Sequence, residues 1–407
     1  MSVAVLGGGL DVVNFGCRLN IAEGEAVRAA ATAAGARDTI IFNSCAVTDE
    51  AVRQARQAVR RALRERPEAN VVVTGCAAEL EGERFAALGA RVVRNDAKGL
   101  TESYGAGAPV ARSKSYSPAL SGADHARAFL GVQTGCSHSC TFCATVIARG
   151  TARSASVDAV VESASLALAR GQREIVLTGV DLASYGDDSG TTLAALIEAL
   201  LALPIERLRL SSLDPNRIDD ALFALLAGET RVMPHVHLSL QAGDDMVLTR
   251  MKRRHRRAEV VDLVARLKAA RPEIAIGADL IAGFPTEDDA MFANSLALID
   301  ECDIVFGHIF PYSARAGTSA ARMPQVGRTV ARERAAILRE ANARRRHDWM
   351  DGLTGMRTNM LVERDGRSGH GENFAGLMLD ADAVPGSIVP VRIGARDGDR
   401  LTAELAA

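Results

Sequence analysis

The chain has 407 residues, enough for two or three domains, and its 48% hydrophobic and 24% charged composition suits packed cores rather than disorder. A net charge of −2 excludes a uniformly basic nucleic-acid binder, so any such contact must come from local patches. No apolar run is long and charge-free enough to be read as a membrane span, and MSVAVLGGGL lacks the charged start and cleavage site of a signal peptide, so a cytoplasmic location is expected.

In chain order, the first hundred residues alternate strand and helix signals. LDVVNFGC ends in Cys17, DTIIFNSC in Cys45 and NVVVTGC in Cys76, with helical stretches such as VTDEAVRQARQAVRRALRERP between them and a further strand in ARVVRND. Apolar strands separated by helices predict a parallel α/β domain over residues 1–104. Ligands of such sheets bind at the carboxyl ends of the strands, and parallel strands bring all three cysteines to one edge. The glycines of VLGGGL do not make a nucleotide loop, because no G-x-G-x-x-G is present and no helix follows at once. Residues 105–125, rich in Gly, Ala, Ser and Pro, read as a linker.

Over residues 126–350 six strand-like runs recur: RAFLGVQ, EIVLTG, RLRLSS, HVHLSL, IAIGADLIAG and DIVFGHIF, mostly separated by helical patterns. Six such units predict an incomplete (β/α)6 relative of the eight-stranded barrel, whose active sites lie at the C-terminal strand ends. Those ends carry Cys136, Cys140 and Cys143, then Thr178 and Gly179, Asp214, Gln241 and Gly283. Residues 328–350 read as a helix ending in ARRRHDWM, and residues 351–407 as short strands of a small β-barrel.

The spacing of Cys136, Cys140 and Cys143 is C-x3-C-x2-C, three ligands where a structural zinc site wants four. A 4Fe–4S cluster held by three thiolates keeps one iron open. The chain has seven cysteines, an odd number, which suits metal ligation better than disulfides in a reducing compartment. Cys302 is read as a buried, inert thiol, His138 as a hydrogen-bonding loop residue, and His235 and His237 as packing or hydrogen-bonding groups that could also bind a metal.

The cysteine loop, with Phe142 before its last cysteine, resembles the signature of the radical S-adenosylmethionine (SAM) superfamily, and its place after the first barrel strand is the place where that superfamily keeps it. FGCRLN, NSCAVTDEA and VTGCAAEL resemble the N-terminal domain of the methylthiotransferases, and GHGENF within residues 355–405 resembles the family's TRAM RNA-binding module. NSCAVTD, EIVLTGVDLASYG, LIAGFPTED and HIFPYSARAGT look most like the branch acting on N6-threonylcarbamoyladenosine beside the tRNA anticodon.

The resemblance implies two 4Fe–4S clusters, one on Cys136, Cys140 and Cys143 and an auxiliary one on Cys17, Cys45 and Cys76. It implies SAM as cofactor, bound at the open iron and cleaved to a radical that removes the adenine C2 hydrogen before a methylthio group is added. It also implies tRNA as partner through its anticodon loop, and an electron donor such as flavodoxin or ferredoxin. Phe142, Thr178, Gly179, Asp214, Gln241 and Gly283 are the expected SAM contacts, although TGV departs from the glycine-rich motif of relatives. The runs KRRHRR and RRRH are expected to meet phosphates, and Arg149 and Arg153 the substrate. Isopentenyl-adenosine, a ribosomal-protein aspartate, an iron–sulfur RNA-binding redox sensor without turnover and a zinc regulator are the competing readings.

Overall fold

The structure is a computed structural model that describes residues 9–46, 48–105 and 115–406. Most of the VLGGGL stretch and residues 106–114 of the predicted linker lie outside the described residues.

Strands β1 (Leu10–Asn14), β2 (Thr39–Ser44), β3 (Asn70–Gly75) and β4 (Arg91–Val92) form a parallel sheet in sequence order. The β2 run TIIFNS is buried throughout, as a strand covered on both faces must be. Helices α1 (Arg18–Ala33), α2 (Asp49–Glu65) and α3 (Cys76–Ala86) connect them. Thr48 caps α2 by accepting from the Ala51 N–H at 3.1 Å, and Val52, Ala55, Val59 and Ala62 recur at helical spacing on its buried face. Only Arg91 and Val92 of the ARVVRND run are in a strand.

The six central strands are β5 (Ala128–Gly131), β6 (Glu174–Thr178), β7 (Arg207–Leu210), β8 (His235–Gln241), β9 (Ala275–Ala282) and β10 (Ile304–Pro311). Pairs β5–β6, β6–β7, β8–β9 and β9–β10 are parallel, and single bridges join Leu208 to Val232 and Leu213 to Leu238 across the remaining gap. Within the stretch predicted as linker, Ala119 and Leu120 instead pair antiparallel with Gly131 and Leu130. The RLRL run of β7 puts Leu208 and Leu210 in the main apolar core and aims Arg209 at Glu174 of β6, with Nε to Oε1 at 2.8 Å. The lumen is thus lined partly by charge.

Edge strand β10 is covered by the helix Arg328–Gly352. Asn342 accepts from the Gly307 N–H at 3.0 Å and donates to the Ile304 carbonyl at 2.7 Å, satisfying edge groups that would otherwise seek another strand. Beyond it, β11 (Arg357–Val362), β12 (Ser368–His370), β13 (Gly376–Leu379), β14 (Ile388–Asp397) and β15 (Arg400–Leu405) close a barrel in the order β11-β12-β13-β15-β14. The β12–β13 turn carries Phe374, at φ +70°, which projects to the floor of the central lumen beside His235 and Phe306.

Candidate functional site

The N-terminal thiols gather because three parallel strands end together. Cys45 follows β2 directly, Cys76 opens α3 directly after β3, and Cys17 precedes α1. Gly16, at φ +83°, lies so close to Cys45 that a Cβ there would stand 2.4 Å from the cysteine Cβ and 2.5 Å from its Sγ. Only glycine lets that turn place Cys17 beside Cys45.

The second triad occupies the loop after β5. Gly135, at φ +72°, turns the chain where a Cβ would meet the Thr151 carbonyl oxygen at 2.0 Å. Each thiol faces a donor. The His138 N–H points at Cys136 Sγ at 3.4 Å, Arg253 Nη1 at Cys140 Sγ at 3.6 Å, and the Thr145 N–H at Cys143 Sγ at 3.4 Å. Burial pushes the Cys136 thiol up to about 12 and raises Cys140, so charged thiolates there need a cation. Three thiols with N–H donors, and no fourth cysteine on the loop, fit an iron–sulfur cluster better than closed zinc; the nearby Asp181 carboxylate is engaged by His138.

Arg149 ends helix α4 (Thr145–Arg149), which follows the loop triad, and reaches across to the N-terminal one. Its Nε donates to Cys76 Sγ at 3.2 Å. Its Nη atoms donate to Glu23 at 2.9 Å twice, to Asn20 Oδ1 at 2.8 Å and to Thr134 Oγ1 at 3.0 Å. Lys98 Nζ reaches the same Glu23 at 2.5 Å, and Asn95 Nδ2 donates to the Ala148 carbonyl at 3.0 Å. Against its burial, Glu23 is held down to about 2 by Arg149 and Lys98. Arg149 was expected to meet substrate; every guanidinium nitrogen is instead engaged within the protein.

The run KRRHRR is likewise split. Lys252 and Arg254 are exposed, but Arg253 turns inward, bonding Asp214 Oδ2 and the Ser239 carbonyl at 2.8 Å each as well as facing Cys140. His255 is buried against the Leu240 carbonyl at 3.1 Å. A phosphate-binding face therefore cannot use the whole run. The run RRRH is mostly half-buried and partly paired within the protein: Arg345 pairs with Asp303 at 2.5 Å and Arg346 donates to the Asp399 carbonyl at 3.2 Å.

Among the expected SAM contacts, Thr178 is buried at the end of β6, and Gly179 abuts Gln133, whose Oε1 accepts from the Val180 and Asp181 N–H groups at 3.0 Å. Asp214 is committed to Arg253. Gln241 ends β8 at φ +71°. Gly283 faces the long helix, where a Cβ would meet Ala331 at 2.3 Å. Phe142 sits edge-on to Phe284, 6.4 Å between centroids. His138 bonds Asp181 at 2.9 Å, and Cys302 is fully buried.

Midway down the lumen, His237 Nε2 and His308 Nδ1 stand 3.1 and 3.2 Å from Asp279 Oδ1. Against burial, these two bonds hold the Asp279 carboxyl well below the usual range. The sequence marks Arg253 only as part of a basic run, and it does not mark Glu23, Asp279 or Arg18. The available signals were an acid inside the otherwise apolar IAIGADLIAG run and a cation directly after Cys17.

The radical SAM superfamily matches residues 130–299, and the uncharacterized protein family UPF0004 matches residues 10–93. The chain is 40% identical over 403 residues to the threonylcarbamoyladenosine tRNA methylthiotransferase MtaB of Rickettsia prowazekii, covering 95% of this chain and 96% of that one. It is 30% identical over 437 residues to the tRNA-2-methylthio-N(6)-dimethylallyladenosine synthase of Ruegeria pomeroyi, covering 98% and 99%. Among solved structures, the radical S-adenosylmethionine methyltransferase TsrM of Kitasatospora setae superposes with a TM-score of 0.56 at 14% identity over 77% of this chain and 74% of its own, a likeness of fold.

Proposed function

The chain belongs to the radical SAM tRNA methylthiotransferases, and from that membership we propose that it adds a methylthio group at C2 of N6-threonylcarbamoyladenosine beside the tRNA anticodon. The observation that carries the mechanism is that Arg149, on the helix following the loop triad, donates to Cys76 of the N-terminal triad. In this reading Cys136, Cys140 and Cys143 hold a 4Fe–4S cluster that binds SAM, and Cys17, Cys45 and Cys76 hold an auxiliary cluster. When bound, the first cluster supplies the electron that cleaves SAM to a radical.

The chain's own residues set the stage for that chemistry. Arg253 and the backbone N–H groups of His138 and Thr145 place positive dipoles on the sulfurs of the SAM side, which favours the more negative, reduced cluster. Arg149 does the same for Cys76. Gln133 clamps the turn after β6 through Val180 and Asp181, which keeps Thr178 and Gly179 at the strand end on the SAM side. Asp214 acts through Arg253, holding its guanidinium toward Cys140.

The 40% identical relative named for threonylcarbamoyladenosine favours that substrate over dimethylallyl-adenosine, for which a 30% identical relative is named. The test is anaerobic. Reconstituted protein, reductant and SAM are incubated with tRNA carrying threonylcarbamoyladenosine, and the digested nucleosides are weighed. A methylthio mass gain that vanishes in Cys140→Ala supports the reading. Formation of 5′-deoxyadenosine with a mass gain only on dimethylallyl-adenosine would replace the substrate. Loaded clusters without any SAM cleavage would favour a redox-sensing RNA binder.

A further inference from the structure

We propose that Arg18, backed by Arg127 and Arg209, is an anion site that receives the carboxylate of the substrate's threonyl group. This rests on the substrate reading given above and names the residue that would recognise it.

At the floor of the lumen four guanidinium groups, Arg18, Arg127, Arg207 and Arg209, meet two carboxylates, Glu174 and Glu363. Glu174 is taken by Arg209 at 2.8 Å and Arg207 at 3.5 Å, and Glu363 by Arg127 at 3.0 Å. Arg18 has no ion-pair partner among the described residues. Its guanidinium carbon stands 5.5 Å from the centre of the Phe374 ring, and those of Arg127 and Arg209 stand 5.5 and 5.0 Å from the same point. The buried Nη1 atoms of Arg127 and Arg209 lack a hydrogen-bond partner. Cations gathered in a partly dry site repel one another, and an anion offsets that cost.

Position selects which anion. Arg18 directly follows Cys17 in the chain, and its side chain extends from there to the lumen floor at Phe374. Cys17 itself is solvent-accessible. A nucleobase between the two triads would present its substituent to this guanidinium. A carboxylate matches the guanidinium fork with two parallel hydrogen bonds. A dimethylallyl group carries no charge and would leave the cation unpaired, so the same residue that attracts one substrate disfavours the other.

The test measures binding of two anticodon stem-loops, with and without the threonylcarbamoyl group, to cluster-loaded protein by fluorescence anisotropy. The wild-type chain should prefer the modified loop by about 10-fold or more, the usual worth of a charge-assisted pair. Arg18→Gln should lose that preference and leave affinity for the plain loop within about two-fold, as expected when no phosphate contact is removed. Equal weakening on both loops would mean that Arg18 holds a phosphate and would overturn the proposal; an undiminished preference would overturn it as well. Wild-type protein that methylthiolates the modified loop without preferring it overturns the anion site alone. Wild-type protein that leaves that loop unmodified overturns the substrate reading and the site with it. Because Arg18 adjoins Cys17, iron content is measured alongside. Should Arg18→Gln lose iron, Arg18→Lys carries the test: with iron retained it should keep only part of the preference, and full retention of the wild-type preference overturns the fork geometry.

Discussion

Arg149 Nε lies 3.2 Å from Cys76 Sγ, so a side chain six residues beyond Cys143 hydrogen-bonds a thiol of the other triad. The same guanidinium is 4% exposed and paired with a Glu23 carboxylate that is 8% exposed. Arg149→Met would leave Glu23 facing Lys98 alone and remove a donor from Cys76. The expected cost is roughly 3–5 kcal/mol of stability, as for breaking one side of a buried pair. Urea titration of the cluster-free protein measures it, and iron analysis after reconstitution should show the N-terminal triad loading less than the loop triad.

The two glycine turns separate the two halves of the proposed reaction. Gly16→Ala drives a Cβ into Cys45 at a left-handed turn, so it should empty the N-terminal triad while the loop triad still loads. SAM cleavage to 5′-deoxyadenosine would continue and methylthiolation would stop. Gly135→Ala strikes the Thr151 carbonyl and should abolish SAM cleavage itself. Product analysis of both variants checks the pair, and equal loss of 5′-deoxyadenosine in the two would contradict the assignment.

Arg253→Met removes the donor to Cys140 and strips Asp214 of its partner. If Cys140 holds the proposed cluster, losing one charge-assisted hydrogen bond to it should make that cluster harder to reduce, and SAM cleavage should slow about 10-fold or more. A redox titration followed by electron paramagnetic resonance reads the potential directly. An unchanged potential would mean that Arg253 serves only to position Asp214.

Stability should fall in acid through Glu23. Its folded-state carboxyl sits at about 2 against an ordinary 4.5, so the stabilisation is present above pH 4.5 and is lost as pH falls toward 2. A depression of this size corresponds to about 3 kcal/mol at most. Denaturation of the cluster-free protein from pH 6 to pH 3 should show wild type and Glu23→Gln converging as the pH drops. A constant gap between them would show that the carboxylate is not what couples to protons.

Much of the architecture was legible in the sequence for a physical reason. Strand runs such as NVVVTG and EIVLTG are buried on both faces, so their apolar composition marks them directly, and a cysteine placed at the end of a parallel strand can face only one edge of the sheet. The convergence of Cys17, Cys45 and Cys76, and the grouping of Cys136, Cys140 and Cys143 on one loop, follow from local pattern alone. What the sequence could not decide is where charged side chains point. KRRHRR reads as a solvated basic face, yet the turn after the helix Asp245–Met251, with Lys252 at φ +58°, swings Arg253 into the barrel toward Asp214. Arg149 reads as a substrate contact, yet the docking of two domains supplies Glu23 and Asn20 from far along the chain and buries it. A charge is exposed or buried according to whether a partner waits inside, and those partners, from Glu23 for Arg149 to Phe374 beneath Arg18, are brought together only by the tertiary structure.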